Sequence, residues 1–392
     1  MNNNNIRVGN LFGIPFYINP SWFFILGLMT LTYGGQLAFT TQLPGIIPWL
    51  VGLFASLLLF ASVLAHELGH SFVAISQGIE VKSITLFIFG GLASLERESK
   101  SPGEAFAVAI AGPLVSIILF AIFTVIQTTT PLPLALSLVV SLLAYINLIL
   151  ALFNMIPGLP LDGGNVLKAI VWKITGNPQK GVIFAGRFGQ FFGWTAVIIG
   201  ALGTLNVLPF GNFWTVLIGW FLLQNAGNAA QSAQLEDKLN HFSAAEAVTE
   251  ESPIVKQDIT LREFANNYII GKQPWRKFLV TDEESILVGV LEVEDLKSIS
   301  THLWGETTVK ELMKSYEDVK TVSDTETLLE VVKMLELQKE SELAVVKEDG
   351  TLLGLVEKKG ITQLLQSRRE QQVSQKQPQA VESSFQKSSS SE

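Results

Sequence analysis

The sequence predicts a polytopic α-helical membrane domain joined to a charged α/β repeat domain. Three observations carry this reading. First, residues 8–65, 105–161 and 188–235 contain no Asp, Glu, Lys, Arg or His. A hydrocarbon core of about 30 Å takes about 20 apolar residues per helix, and a helix satisfies its backbone groups internally there. A large soluble hydrophobic domain needs no charge-free runs of this length. Second, residues 1–235 hold eight Lys/Arg and six Asp/Glu, whereas the remainder holds nineteen and twenty-nine. Third, the acidic half repeats itself: "LVGVLEVEDLKSI" returns as "LLGLVEKKGITQLL", with Gly289 aligned on Gly354 at an offset of 65. The expected boundaries are 1–235 for the membrane domain, 241–300 and 305–367 for the repeats, and 368–392 for a Gln/Ser-rich disordered tail.

Six membrane helices are expected, over residues 22–36, 49–77, 104–127, 132–154, 187–205 and 213–231. "TTTPLP" and "LPFGN" supply turns between spans. The polar start "MNNNNIRVGN" does not look like a cleavable leader. All eight basic residues of this half fall on one side, in the segments holding Arg7, Lys82 to Lys100, and Lys168 to Arg187. Loops 37–48, 128–131 and 206–212 have none. Cytoplasmic loops carry the Lys/Arg excess, which predicts an integral multi-pass protein of the cell membrane with both termini cytoplasmic. The acidic soluble half argues against nucleic acid, which needs a basic surface. The absence of cysteine excludes disulfides and Cys-ligated zinc.

Within the second predicted span lies "SVLAHELGHSF". His66 and His70 are four residues apart and share a helix face. The pattern H-E-x-x-H pairs two zinc-binding imidazoles with a glutamate base, here Glu67. A buried polar cluster packed against neighbouring helices is the plainer alternative. Ionisable groups inside a span are costly, however, and usually serve function. Catalytic zinc needs a third protein ligand. Glu80, Glu96, Glu98, Glu104 and Asp162 are the candidates. Glu96 sits in the mixed-charge stretch "SLERESK", whereas Asp162 stands in "NMIPGLPLDGG", whose Pro and Gly residues break the helix around it. Asp162 suits a ligand; the alternative is an N-cap for a helix over 163–175.

"HELGH" in the second span with "LDGG" after the fourth resembles the site-2 protease family of intramembrane zinc metalloproteases, over most of residues 10–230. The resemblance implies Zn²⁺ held by His66, His70 and Asp162, Glu67 as general base, and peptide-bond hydrolysis in or beside a substrate's transmembrane helix. It also implies a β-hairpin near the site. "KSITLFIFGGLASLE" suits one, with Ile84 to Phe89 β-prone and a turn at Gly90–Gly91. Its edge is expected to pair with unwound substrate, or else to be an interfacial hairpin with a packing role. "AGPLVS", with Gly112, Pro113 and Ser116, resembles the family's Gly-x-x-x-Asn/Ser/Gly element, for which close helix packing is the expected role. Asn154 is a candidate substrate-binding residue with Gly90 and Gly91; Asn147 and Asn154 are alternatively interhelical ties. The rival to a protease is a non-proteolytic metal-binding transporter or scaffold.

The acidic half resembles a tandem pair of cystathionine-β-synthase (CBS) domains, covering about 241–367. "DITLREFANNYI" aligns with "DTETLLEVVKML", Asp258 on Asp324, at an offset of 66. Such pairs often bind adenine nucleotides. The usual Gly-x-x-Thr/Ser-x-x-Asp ending is altered here to Gly289, Glu292 and Asp295, and to Gly354, Glu357 and Gly360. Glutamate at the hydroxyl position repels phosphate, so homodimerisation or substrate gating stands beside nucleotide binding as the expected role.

Overall fold

The computed structural model describes residues 5–368, apart from 89, 250 and 272–274. The expected disordered tail lies outside the described residues. The chain divides into two compact units after Gln234.

The first unit opens with two strands, β1 (Ile6–Leu11) and β2 (Ile14–Ile18), where the sequence reading assigns none. Phe12 and Gly13 both have positive φ, 53° and 86°, as a two-residue type I′ hairpin turn requires. Helices α1 (Ser21–Thr41) and α2 (Ile47–Ser76) follow, then β3 (Val81–Phe87) and β4 (Gly90–Leu95). The four strands form one sheet in the order β1-β2-β3-β4, with β2 and β3 parallel and the other pairs antiparallel. Gly90 and Gly91 are not the turn. They are strand residues opposite Phe87 and Leu86, so the chain reverses between Phe87 and Gly90. Ile14, Phe16, Ile84 and Leu86 bury the sheet's inner face against Trp22 of α1 and Phe60 of α2.

The remaining helices are α3 (Pro102–Thr129), α4 (Leu134–Asn154), α5 (Asp162–Thr175), α6 (Pro178–Thr204) and α7 (Phe213–Leu239). Five of these seven helices, α1 to α4 and α6, are long and apolar enough to cross a membrane. The sixth expected span is α7, whose second half carries Gln224, Asn225, Asn228 and Gln231. The spans are apolar outside and small or polar inside. Phe24, Phe39, Phe54, Ile118, Val125 and Leu152 are all at least half exposed. Ser56, Ser62, Ala55, Ala109, Ser116 and Asn147 are buried. This inversion suits lipid, where close approach of small residues rather than hydrophobic burial holds helices together.

The second unit contains two similar halves. The first runs β5 (Ile254–Lys256), α8 (Leu261–Phe264), β6 (Lys277–Thr281), β7 (Leu287–Glu292), α9 (Val309–Leu312) and β8 (Lys314–Ser315). The second runs β9 (Thr321–Ser323), α10 (Leu328–Leu337), β10 (Glu342–Val346) and β11 (Leu352–Glu357). Strands β6 and β7 recur as β10 and β11 at the offset of 65 read from sequence. Gly289 and Gly354 sit opposite Val280 and Val345 respectively. The capping residues Thr260 and Thr327 are 67 apart, one more than the alignment of Asp258 on Asp324 expects. The first repeat's helix is shorter: α8 has four residues and runs into a wider turn over 265–269, while α10 has ten. Ala244, Ala247 and Val248 pack in the core of the second repeat with Leu328, Leu335 and Val356.

Candidate metal centre

Helix α2 presents His66, Glu67 and His70, and α3 crosses it as the wall of the site. The two are keyed together residue by residue. His70 Nδ1 lies 2.7 Å from the Val108 carbonyl, and His66 Nδ1 lies 2.9 Å from Ser116 Oγ. Val108, Gly112 and Ser116 are spaced four apart along one face of α3. Gly112 therefore falls between the two imidazole contacts. A methyl group there would overlap His70 Nε2 and stand 2.7 Å from His66 Nε2.

The bond to the Val108 carbonyl sets the His70 tautomer. A carbonyl only accepts, so His70 Nδ1–H donates and a neutral ring leaves its Nε2 lone pair free. His66 has the same arrangement in the tautomer whose Nδ1–H donates to the Ser116 hydroxyl, which can accept. Both Nε2 atoms point at Asp162. His66 Nε2 is 3.0 Å from Asp162 Oδ2, His70 Nε2 is 3.3 Å from Oδ1, and the two nitrogens are 3.3 Å apart. Three acceptors facing one another at such distances repel unless a cation stands between them. Tetrahedral bonds of about 2.0–2.1 Å to a zinc-sized ion put ligand atoms about 3.3 Å apart, so the donor set fits. Among the described residues His66, His70 and Asp162 form the group that could hold a metal.

Asp162 reaches the site from an irregular segment. It is the first residue of α5, and Leu161 before it caps the helix without a side-chain bond. The carboxylate therefore serves the imidazoles rather than the helix end. The segment is pinned to α6 by the Leu159 N–H, which donates to the Ala185 carbonyl at 3.1 Å, and by Gly189, which lies against the Leu159 carbonyl. The other candidate acids, Glu80, Glu96, Glu98 and Glu104, do not join this group. Glu98 pairs with Lys168 at 2.7 Å, and Glu104 accepts from the Lys100 N–H at 2.9 Å.

Glu67 stands beside β4. A methyl group on Gly91 would overlap its side chain and come 2.9 Å from Oε1. A cavity of about 460 Å³ opens here, lined by Glu67, Gly90, Gly91, Asn154 and Asp162 among others. The sequence-predicted site residues thus share one cavity with His66 and His70. Asn147 does not join them: its amide donates to Ser62 Oγ at 3.1 Å and to the Leu143 carbonyl at 2.8 Å, tying α4 to α2. Sequence reasoning assigned Gly112 and Ser116 to packing. Their recurrence at the spacing of the two histidines was the available signal.

A polytopic helical protein with a His-His-Asp metal centre and a glutamate beside it is the class that fold and site define. The pattern of "Peptidase family M50" matches residues 54–134 and 132–185, and that of the "CBS domain" matches 309–367. A Synechocystis protein named "Putative zinc metalloprotease sll0528" is 59% identical over 365 residues, 93% of this chain and 96% of that one. "Zinc metalloprotease MJ0392" of Methanocaldococcus jannaschii is 30% identical over 262 residues, 67% of this chain and 71% of that one. The solved "Site-2 Protease from Methanocaldococcus jannaschii" is 28% identical, with a TM-score of 0.42 over 58% of this chain and 95% of that chain. The chain belongs to peptidase family M50, the site-2 proteases, and carries a CBS domain.

Proposed function

We propose that the protein is an intramembrane zinc endopeptidase that cleaves transmembrane segments of other membrane proteins. The convergence of His66, His70 and Asp162 beside Glu67, in a cavity within a membrane unit, carries this reading. His66, His70 and Asp162 hold the zinc. Zinc bound there supplies Lewis acidity towards water and towards a peptide carbonyl. Glu67 takes the proton of the attacking water and delivers it to the leaving nitrogen. Ser116 and the Val108 carbonyl fix ring orientation and keep both Nε2 lone pairs on the metal side. Asn154 and the backbone at Gly90 and Gly91 bind substrate. β4 ends the sheet order, so among the described residues its outer edge has no strand partner and can accept an extended segment. A helical substrate has its backbone groups already paired and must unwind to use that edge.

The topology proposed is six spans, α7 being the sixth, with both termini in the cytosol. His70 lies about eight residues before Gly78, or about 12 Å at helical rise, which puts the centre inside the bilayer but nearer the cytosol and within reach of water. A non-proteolytic transporter would distribute polar groups along a path through several spans. Here they gather at one depth.

The acidic half acts as a cytosolic CBS pair that modulates cleavage, as a nucleotide sensor or through homodimerisation. A cavity of about 290 Å³ in this unit is lined by Trp275, Glu357, Lys359 and Gly360, which offers an aromatic face and a cation to an adenine nucleotide. In the first repeat, Glu292 and Asp295 instead pair with Lys314, at 3.0 and 3.5 Å. The deciding experiment compares purified wild type with Glu67→Gln for zinc content and for cleavage of single-span test proteins. Full zinc in both with cleavage lost only in the variant supports the reading. Equal cleavage by both removes the proposed base, and full zinc without turnover in wild type favours the rival.

A further inference from the structure

We propose that Lys168 is a specificity-determining residue that takes an acidic side chain of the substrate, two or three residues from the cleaved bond. The proposal rests on the protease reading of the same cavity and names the substrate feature that the cavity selects.

Helix α5 does more than supply Asp162. Asp162, Asn165, Lys168 and Trp172 follow one another at spacings of three, three and four residues, and all four line the cavity. They form one face of the helix. Along the cavity lining described, Lys168 is the one cation; the acids are Glu67 and Asp162 at the centre and Glu98 farther along. From Asp162 to Lys168 is six residues, or about 9 Å at helical rise. An extended peptide advances about 3.3 Å per residue, so a segment lying over the centre brings its second or third residue to Lys168.

The ion pair at that point is asymmetric. Lys168 has a side-chain exposure of 14%, while its partner Glu98 is 78% exposed. The ammonium is shielded and needs a counter-charge whether or not substrate is present. The carboxylate that supplies it stands in solvent, so releasing it to water costs little. A substrate Asp or Glu can replace Glu98 with the number of ion pairs unchanged. A substrate Lys or Arg in the same place meets a shielded cation and is rejected. Discrimination thus comes from repulsion of the wrong charge as well as attraction of the right one. The exchange makes Glu98 an internal stand-in for the substrate carboxylate.

The test uses the full-length, zinc-loaded protein in bilayers and single-span substrates that differ at one position, Asp, Asn or Lys, two or three residues from the cut. Affinity is measured on a Glu67→Gln background, and cleavage on the otherwise unaltered protein. The expected order is Asp, then Asn, then Lys, with about a five- to tenfold step for a half-shielded pair. Swapping the pair with Lys168→Glu and Glu98→Lys together should invert the Asp and Lys positions. Lys168→Met should flatten the series, with the zinc content unchanged. Should the swapped and Met variants keep the wild-type order in both affinity and cleavage, the proposal is overturned. Cleavage that Glu67→Gln leaves intact would instead sink the protease reading, and the affinity order would still decide the role of Lys168.

Discussion

The two units spend the same residue type in opposite ways. In the second unit glutamates close helices: Glu263 accepts from the Thr260 N–H at 3.0 Å, and Glu311 from the Thr308 N–H at 3.2 Å, each returning a bond at its helix start. In the first unit the spans contain one glutamate between their charged ends, Glu67, and it caps nothing. Water makes a surface carboxylate inexpensive, so its presence says little. Lipid makes one costly, so its presence is informative. The comparison teaches that function is legible in proportion to what the solvent penalises.

That contrast can be broken by substitution. The largest effects belong to the first unit. His66→Ala, His70→Ala and Asp162→Ala should each lose bound zinc and all cleavage, whereas Glu67→Gln should keep zinc and lose about 10²–10⁴-fold in rate. Metal analysis beside a cleavage assay separates the two classes. Gly112→Ala should behave like a ligand variant, since the added carbon meets both imidazoles. Gly91→Ala should retain zinc and slow turnover, because the atoms nearest the added carbon belong to Glu67. Identical behaviour of the two glycine variants would undo the division of labour between α3 and β4. Ser116→Ala comes next, with zinc affinity about 10–100-fold weaker in chelator competition and a folded protein throughout.

Effects in the second unit should be smaller and silent towards zinc. Thr260→Ala removes a cap and should cost the first repeat about 1 kcal/mol, read from amide exchange of β6 and β7. Glu342 offers a pH test. It faces Glu357 across β10 and β11, and burial raises its carboxyl pKa above the usual range. The folded form then holds that proton more tightly than the unfolded chain, so stability is greatest below the ordinary carboxylate pKa and declines as pH rises through the raised one. Glu342→Gln should therefore slow exchange in β10 and β11 at neutral pH, and the gain should fade on acidification. A gain that grows on acidification would reverse the assignment.

Legibility followed the same physics along the chain. Helices α1 to α4 were readable because their apolar runs are long, and His66, Glu67 and His70 because they interrupt one. Asp162 was readable as an isolated acid among helix breakers. Ser116 was not, because serine is also an ordinary packing residue in a span, and its bond to His66 requires knowing how α2 and α3 are registered. The β1–β2 hairpin was hidden by its length and by Phe12, an unusual residue for a positive φ. α7 is intermediate: a helix of spanning length whose amide-rich second half weakens the apolar signal. In the repeats, the hairpin offset survived intact because strand pairing fixes register, while the helices differ in length and shift the alignment by a residue or two.

The hidden hairpin has a consequence for the centre it never touches. β2 is the lateral neighbour of β3, and β3 carries the strand that leans on Glu67. A chain shortened by its first eighteen residues would keep every ligand and the proposed base. It would still lose one side of the scaffold that aims the base. Such a protein should load metal normally and work poorly, a defect that residue-by-residue inspection of the pocket would never suggest.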